Sequence, residues 1–311
     1  MPFGLVGLDA LRALNGVEIS IPEPELPELP ELHGLASLLP DLESNNKGVI
    51  FTMGKGGVGK TSVAVAVAVA LARRGHPVHL STTDPAAHVA DALGDSVEGI
   101  TVSRIDPEQV TAEYREQVLG TAGANLDADG RALLEEDLRS PCTEEIAVFQ
   151  AFAKTVDQAD RAFVVLDTAP SGHTLLLLDA AESYHKEVLK KTGEAPTEVR
   201  ELLPRLRDPD YTKVLLVTLP EATPVHEARS LERDLERAGI HPFGWVINQS
   251  LTPLSLRDPV LKRRQAHEAP WIREVLDLGE RVAVAPWLPS PSGTRLDLIE
   301  APSPGVVATS S

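Results

Sequence analysis

Cysteine is almost absent: Cys142 is the single one in 311 residues. One thiol excludes an intrachain disulfide and any C-x-x-C metal site, and it leaves the cytosol as the expected compartment. Methionine is scarce as well, with Met1 and Met53 only. Basic charge is in deficit, with 29 Lys and Arg against 46 Asp and Glu and a formal net charge of −17. So acidic a chain repels a phosphate backbone, and no nucleic-acid partner is expected. Long hydrophobic runs are missing too. The longest, Val63 to Ala72, falls well short of the roughly 20 residues that span a bilayer. Met1 to Gly16 lacks the basic start and long apolar core of a secretory signal. The expectation is a soluble protein that reaches a membrane only through a partner. No internal repeat is visible, and no basic amphipathic helix closes the chain.

What is present suffices for a large core, since 42% of the residues are hydrophobic. Leu5, Leu8, Leu11 and Leu14 recur at helical spacing, so residues 1–17 read as a short leading helix stopped near Gly16. Residues 18–46 open with prolines alternating with Glu and Leu, which reads as an extended linker that continues as loop or fraying turn to Asn46. The folded domain is therefore expected from about Lys47 to residue 300, with 301–311 a disordered tail. Within it apolar strands and helices alternate. That pattern predicts an α/β fold, a mostly parallel sheet with helices on both faces. Strands are expected at 48–53, 78–82, 100–105, 163–166, 214–218, 245–248 and 282–285. Residues 107–160 are helical in pattern and too long for a simple crossover, so they read as a helical insertion, and 184–208 reads as a second, charged helical excursion.

The most informative stretch is Met53-Gly54-Lys55-Gly56-Gly57-Val58-Gly59-Lys60-Thr61-Ser62. It fits the phosphate-loop pattern G-x-x-x-x-G-K-[ST], with a strand before it and a helix after it. Glycines let successive N–H groups of Gly54, Gly56, Gly57, Val58 and Gly59 converge on phosphate oxygens, and the helix N-terminus beyond Thr61 and Ser62 points its dipole at the same place. Lys60 supplies a positive charge at the outer phosphates, and Thr61 offers a hydroxyl to Mg²⁺. ATP and Mg²⁺ are the expected cofactors. Asp167 closes the strand Phe163-Val164-Val165-Leu166, which is where a second oxygen ligand for Mg²⁺ is expected.

Lys55, directly after the first glycine, gives G-K-G-G-V-G-K-T, and Asp167-Thr168-Ala169-Pro170-Ser171-Gly172-His173-Thr174 follows downstream. Together these resemble the arsenite-pump ATPases and their relatives that target tail-anchored membrane proteins, both in the deviant Walker A class. The resemblance implies that Lys55 reaches across a dimer interface to the partner's nucleotide, acting much as an arginine finger does. It implies that Asp167 to Thr174 is a switch linking the outer phosphate to a distal site. It also implies that Asp84, in Ser81-Thr82-Thr83-Asp84-Pro85, polarises the attacking water, although an aspartate before proline is also an ordinary turn starter. Asn248 matches the asparagine that reads the adenine edge. The loop 286–293 matches a second base-contacting segment, and Glu221 an element near the nucleotide.

Cys142 alone reads as a small buried side chain, the common fate of a lone cytosolic cysteine. Its surroundings, Ser140-Pro141-Cys142-Thr143-Glu144-Glu145, resemble the metalloid site in the second half of the arsenite-pump ATPase. There it would give a thiolate to As(III) or Sb(III), with His173 as auxiliary ligand; soft sulfur suits a thiophilic ion. A helix expected at 144–154 places its dipole beside that sulfur. Three sulfurs are needed and one is present, so the others must come from another copy or another polypeptide.

The implied whole is an ATP-hydrolysing subunit for arsenite or antimonite extrusion, resembling the C-terminal half of a two-half ATPase. It would work as a homodimer or with a complementary N-terminal half. It would be cytoplasmic, held at the inner membrane by a membrane arsenite carrier. The alternative is a targeting ATPase for tail-anchored membrane proteins, which needs a wide apolar groove, often rich in methionine; two methionines and no C-x-x-C speak against it.

Overall fold

The computed structural model describes residues 26–83, 97–168, 196–288 and 295–300. The expected leading helix, the tail, Asp84 and His173 lie outside them. Seven strands form one sheet: β1 (Gly48–Met53), β2 (Val78–Thr82), β3 (Ile100–Arg104), β4 (Phe163–Asp167), β5 (Thr212–Thr218), β6 (Gly244–Ser250) and β7 (Val282–Pro286). Their order is β3-β2-β4-β1-β5-β6-β7, and every pairing is parallel. β1, β4, β5 and β7 are buried along their whole length. This is why their sequences are apolar throughout rather than alternating: each faces helices on both sides.

The helix after β1, α1 (Lys60–Arg73), carries Val63 to Ala72 fully inside. Its valine–alanine alternation looks strand-like in sequence. Position settles it as a helix, apolar all round because it is covered all round. Gly75 (φ 91) ends it in the left-handed conformation. The excursion at 107–160 consists of α2 (Pro107–Thr121), α3 (Ala128–Asp137) and α4 (Pro141–Asp157). Asp106 caps α2 and Asp127 caps α3 through their carboxylates. Among the described residues α5 (Thr197–Arg207), α6 (Ala222–Arg237) and α7 (Pro259–Leu278) follow, with a last short turn at Asp297–Glu300.

Two apolar clusters lie on the two faces of the sheet. One gathers Phe149 and Phe152 of α4, Leu202 of α5, Leu231 of α6 and Ile272 of α7. The other is built on α1. This second cluster reaches N-terminal to Lys47, where the folded domain was expected to begin. Leu35, Leu38, Leu39 and Leu42 belong to it and Leu32 to the first cluster, all buried in a segment whose composition suggested linker and loop. Residues 35–42 form two short helical turns packed with α1, and Val284 N donates to His33 O at 2.8 Å, tying the strap to edge strand β7. Lys213 then holds its end, donating to Leu42 O at 3.1 Å and Ser44 Oγ at 3.0 Å. Prolines and glutamates fill the exposed positions; the leucines between them cover a sheet face that would otherwise meet water. Each such leucine contributes about 1.5–3 kcal/mol of burial.

Candidate functional site

In a parallel sheet the carboxyl ends of all strands emerge on one edge, and ligands bind there where the strand order reverses. β1 is that central strand, with β4 and β5 on either side of it. Thr52 lies in register with Asp167, and Met53 with Leu216, so the loop leaving β1 starts between the ends of its two neighbours.

Two glycines of that loop are required by space as well as by conformation. Gly54 (φ 151) passes so close to β5 that a Cβ would sit 2.2 Å from Val217 O. Gly59 (φ 91) would place a Cβ 2.2 Å from Asn248 Nδ2. Both conformations disfavour L side chains, and both clashes are with well-held neighbours. The loop is thus threaded between β5 and β6, and α1 begins at Lys60 with its N-terminus open toward the loop.

Lys60 is 5% exposed, and its Nζ donates to Lys55 O at 3.1 Å, folded over the loop it closes. Thr61 Oγ1 donates to Asp167 Oδ2 at 2.6 Å. Asp167 is 1% exposed, and Thr168 Oγ1 ties the chain just beyond it to Thr52 O at 2.9 Å. A threonine hydroxyl and a buried carboxylate meeting beneath a backbone cradle form an oxygen donor pair of the kind hard Mg²⁺ takes, with phosphate oxygens and water completing the shell. The residues present fit the ion. Thr83 N donates to Asp167 O at 3.0 Å, so the segment leading to Asp84 departs beside this pair.

Asn248, at the end of β6, is 2% exposed and uses Nδ2 to hold Val58 O at 2.9 Å. It also lines a cavity of about 160 Å³ with Ser62, Gln249, Pro286 and Trp287. The asparagine and the post-β7 loop singled out in the sequence therefore flank the same space; residues 289–294 of that loop lie outside the described residues. Glu221 stands farther along the edge, exposed, paired with Arg264 at 3.0 Å, and borders a larger groove of about 600 Å³ that shares Gln249 and Trp287 with the smaller cavity.

In the single chain Lys55 Nζ lies 2.7 Å from Glu227 Oε1 of α6, with both side chains about two-fifths exposed (38% and 45%). Two findings depart from expectation. The helix expected at 144–154 runs from Pro141 to Asp157, so Cys142 sits in its first turn rather than before it. Proline is well suited to the first position of a helix, because its missing N–H would be unpaired there anyway, and that signal marks the true start. Cys142 is exposed, not the small buried side chain that its isolation suggested. Among the described residues no cluster of three or more His, Cys, Asp and Glu side chains is placed to hold a metal ion.

Sheet order, loop and donor pair define a P-loop nucleotide-binding protein. The family model for anion-transporting ATPases matches residues 47–203 and 176–288, and the chain belongs to that family. An arsenical pump-driving ATPase of Escherichia coli is 52% identical over 297 residues, covering 94% of this chain and 51% of the relative. One from Acidiphilium multivorum is 50% identical over the same shares. A putative arsenical pump-driving ATPase 2 of Aquifex aeolicus is 30% identical over 73% of this chain and 88% of its own length. The chain thus spans about half the length of the first two relatives (51% of each).

Proposed function

We propose that this chain is an ATP-hydrolysing subunit that drives arsenite or antimonite extrusion through a membrane carrier, corresponding to one half of a two-half ATPase. The observation that carries the ATPase reading is the Thr61–Asp167 contact of 2.6 Å under the glycine cradle. The relatives' names support the metalloid, and their doubled length supports a second half.

On this reading the backbone N–H groups of 54–59 hold the phosphates and Lys60 neutralises the outermost. Thr61 and Asp167 orient Mg²⁺, which when bound offsets charge building on the transferred phosphoryl group. Asp84 holds the attacking water in line and accepts its hydrogen bond. Asn248 and the post-β7 loop fix the base. Lys55 leaves Glu227 and reaches the nucleotide of the facing half. An exposed pair such as Lys55–Glu227 is worth about 0–1 kcal/mol, so releasing it costs little against the phosphate charge gained. Cys142 is exposed, and thiolates from the other half can complete a three-sulfur site with it for As(III) or Sb(III), His173 being the auxiliary ligand that the family resemblance implies. A metalloid bridging two halves favours the closed state, and closure favours the metalloid by the same factor. The membrane step is assigned to the carrier on this reading; among the described residues no helix is long and apolar enough to cross a membrane.

The test is hydrolysis with and without antimonite, for the parent chain and Cys142→Ser, each together with its complementary half. Antimonite is expected to stimulate the parent by about tenfold, a coupling of about 1–3 kcal/mol, and to leave Cys142→Ser unstimulated. Equal stimulation of both would remove Cys142 from the mechanism.

A further inference from the structure

One buried carboxylate takes no part in the steps above. Glu268 of α7 is 4% exposed and accepts hydrogen bonds from Ser250 Oγ (2.7 Å), Leu251 N (3.0 Å), Thr252 N (3.1 Å) and Thr252 Oγ1 (3.0 Å). One turn earlier on the same helix, Gln265 is 7% exposed and donates through Nε2 to Leu251 O (2.9 Å), Thr252 O (3.1 Å) and Leu254 O (3.0 Å). The two side chains divide the turn between them, one taking its donors and the other its acceptors. Desolvation pushes the Glu268 carboxyl above the ordinary carboxylate range, although the hydrogen bonds from Leu251, Ser250 and Thr252 oppose the shift. A group so costly to bury is expected to hold something that cannot be held otherwise.

What it holds is the end of β6. Asn248 reaches back to Val58 of the phosphate loop, while Gln249 adopts a left-handed conformation (φ 55) that a glutamine rarely takes unaided. Ser250 O accepts from Trp287 N at 2.8 Å, so the same turn fixes the start of the loop after β7. Asn248, Gln249 and Trp287 are walls of the 160 Å³ cavity. Glu268 and Gln265 do not line it and reach it only through the 250–254 turn, while Glu268 borders the 600 Å³ groove that shares Gln249 and Trp287.

We propose that Glu268 and Gln265 are positioning residues for the nucleotide base, clamping the 250–254 turn so that Asn248, Gln249 and Trp287 keep the shape of the base cavity. The inference rests on the reading that the base occupies the cavity beside Asn248. It requires that loosening the clamp weaken recognition of the base and spare recognition of the phosphates.

The test compares two probes, ATP and inorganic tripolyphosphate, binding to the full chain in Mg²⁺ buffer. Glu268→Gln keeps the size of the side chain but turns an amide donor toward N–H and O–H donors. Its dissociation constant for ATP is expected to rise about tenfold, with that for tripolyphosphate unchanged. Ser250→Ala, which removes the hydrogen bonds of Ser250 Oγ to Glu268 and from Thr252 N, is expected to weaken ATP alone by about threefold, and it decides the matter if Glu268→Gln does not fold. Equal weakening of both probes would mean that Glu268 supports the fold at large, and unchanged ATP binding would mean that it supports nothing at the site; either overturns the inference. If the parent chain binds tripolyphosphate as tightly as ATP, the base-cavity reading itself fails and takes the inference with it. If the parent prefers ATP and the variants keep that preference, only the inference fails.

Discussion

Lys60→Ala is expected to lower ATP hydrolysis by at least about 10²–10³-fold while leaving the chain folded. The side chain is almost fully enclosed (5% exposed), and its ammonium lies 3.1 Å from Lys55 O, within the loop that Gly54 and Gly59 shape. Nothing else on the loop brings a positive charge to that point, since Lys55 is turned toward Glu227. Alanine is the best helix former at the head of α1, so the substitution removes charge without loosening the helix. Phosphate release measured beside thermal unfolding separates the two effects. A variant that unfolds at the parent temperature and retains most of its turnover would mean that the loop does not serve hydrolysis.

Lys55→Ala is expected to cost about 10³-fold in hydrolysis for a different reason, the loss of a charge delivered to a neighbour's nucleotide. Because the group would act in trans, the defect is complementable. Mixing Lys55→Ala chains with Lys60→Ala chains creates pairs in which one site has its own Lys60 and a partner's Lys55. For a symmetric pair formed at random, about a quarter of the parental sites are then complete. Turnover well above that of either variant alone is the expected outcome, read as phosphate release after mixing and re-equilibration. If the two variants are shown to pair and the mixture still stays as inactive as its parts, Lys55 works within its own chain, and its contact with Glu227 is the resting place of a residue that acts in cis. Glu227 thus marks where the two accounts diverge: in trans its pairing is a parking position, in cis a functional partner.

The sheet was open to reading from sequence because its strands are buried on both faces, so each appears as a short unbroken apolar run ended by a turn residue. All seven expected strands are present, with ends that differ by a residue or two; β5 starts at Thr212 rather than Val214, and β6 runs on to Ser250. The phosphate loop was equally legible, since Gly54, Gly59, Lys60 and Thr61 occupy fixed positions for reasons that are local to the backbone. The N-terminal strap was not. Its leucines at 35, 38, 39 and 42 follow a helical interval, but proline and glutamate dominate the composition just before them, and the partner surface on α1 is itself a featureless valine–alanine run. Glu268 and Gln265 were illegible for another reason. In Arg263-Arg264-Gln265-Ala266-His267-Glu268 they look like one more solvated helix face. Only the reversal of the chain after β6 turns them inward, and that is a tertiary event with no local signature. A spacing of three along a helix, with both side chains polar and the next turn apolar, is the faint trace it leaves.

The chemistry divides in the same way. Thr61 and Asp167 lie far apart in sequence, yet the parallel pairing of β1 with β4 fixes their meeting at 2.6 Å. Cys142 is exposed at the head of α4, and among the described residues no cluster of three or more metal-ligating side chains forms around it.

If this chain contributes one side of a shared ATPase site, its hydrolysis rate per chain must depend on chain concentration. Measured for the chain alone and with a fixed excess of its complementary half, with and without antimonite, the per-chain rate is expected to rise with concentration and saturate as pairs form, with saturation shifted to lower concentration by the metalloid. A per-chain rate that is already maximal at the lowest concentration, in a species whose mass is that of one chain, would contradict a shared site.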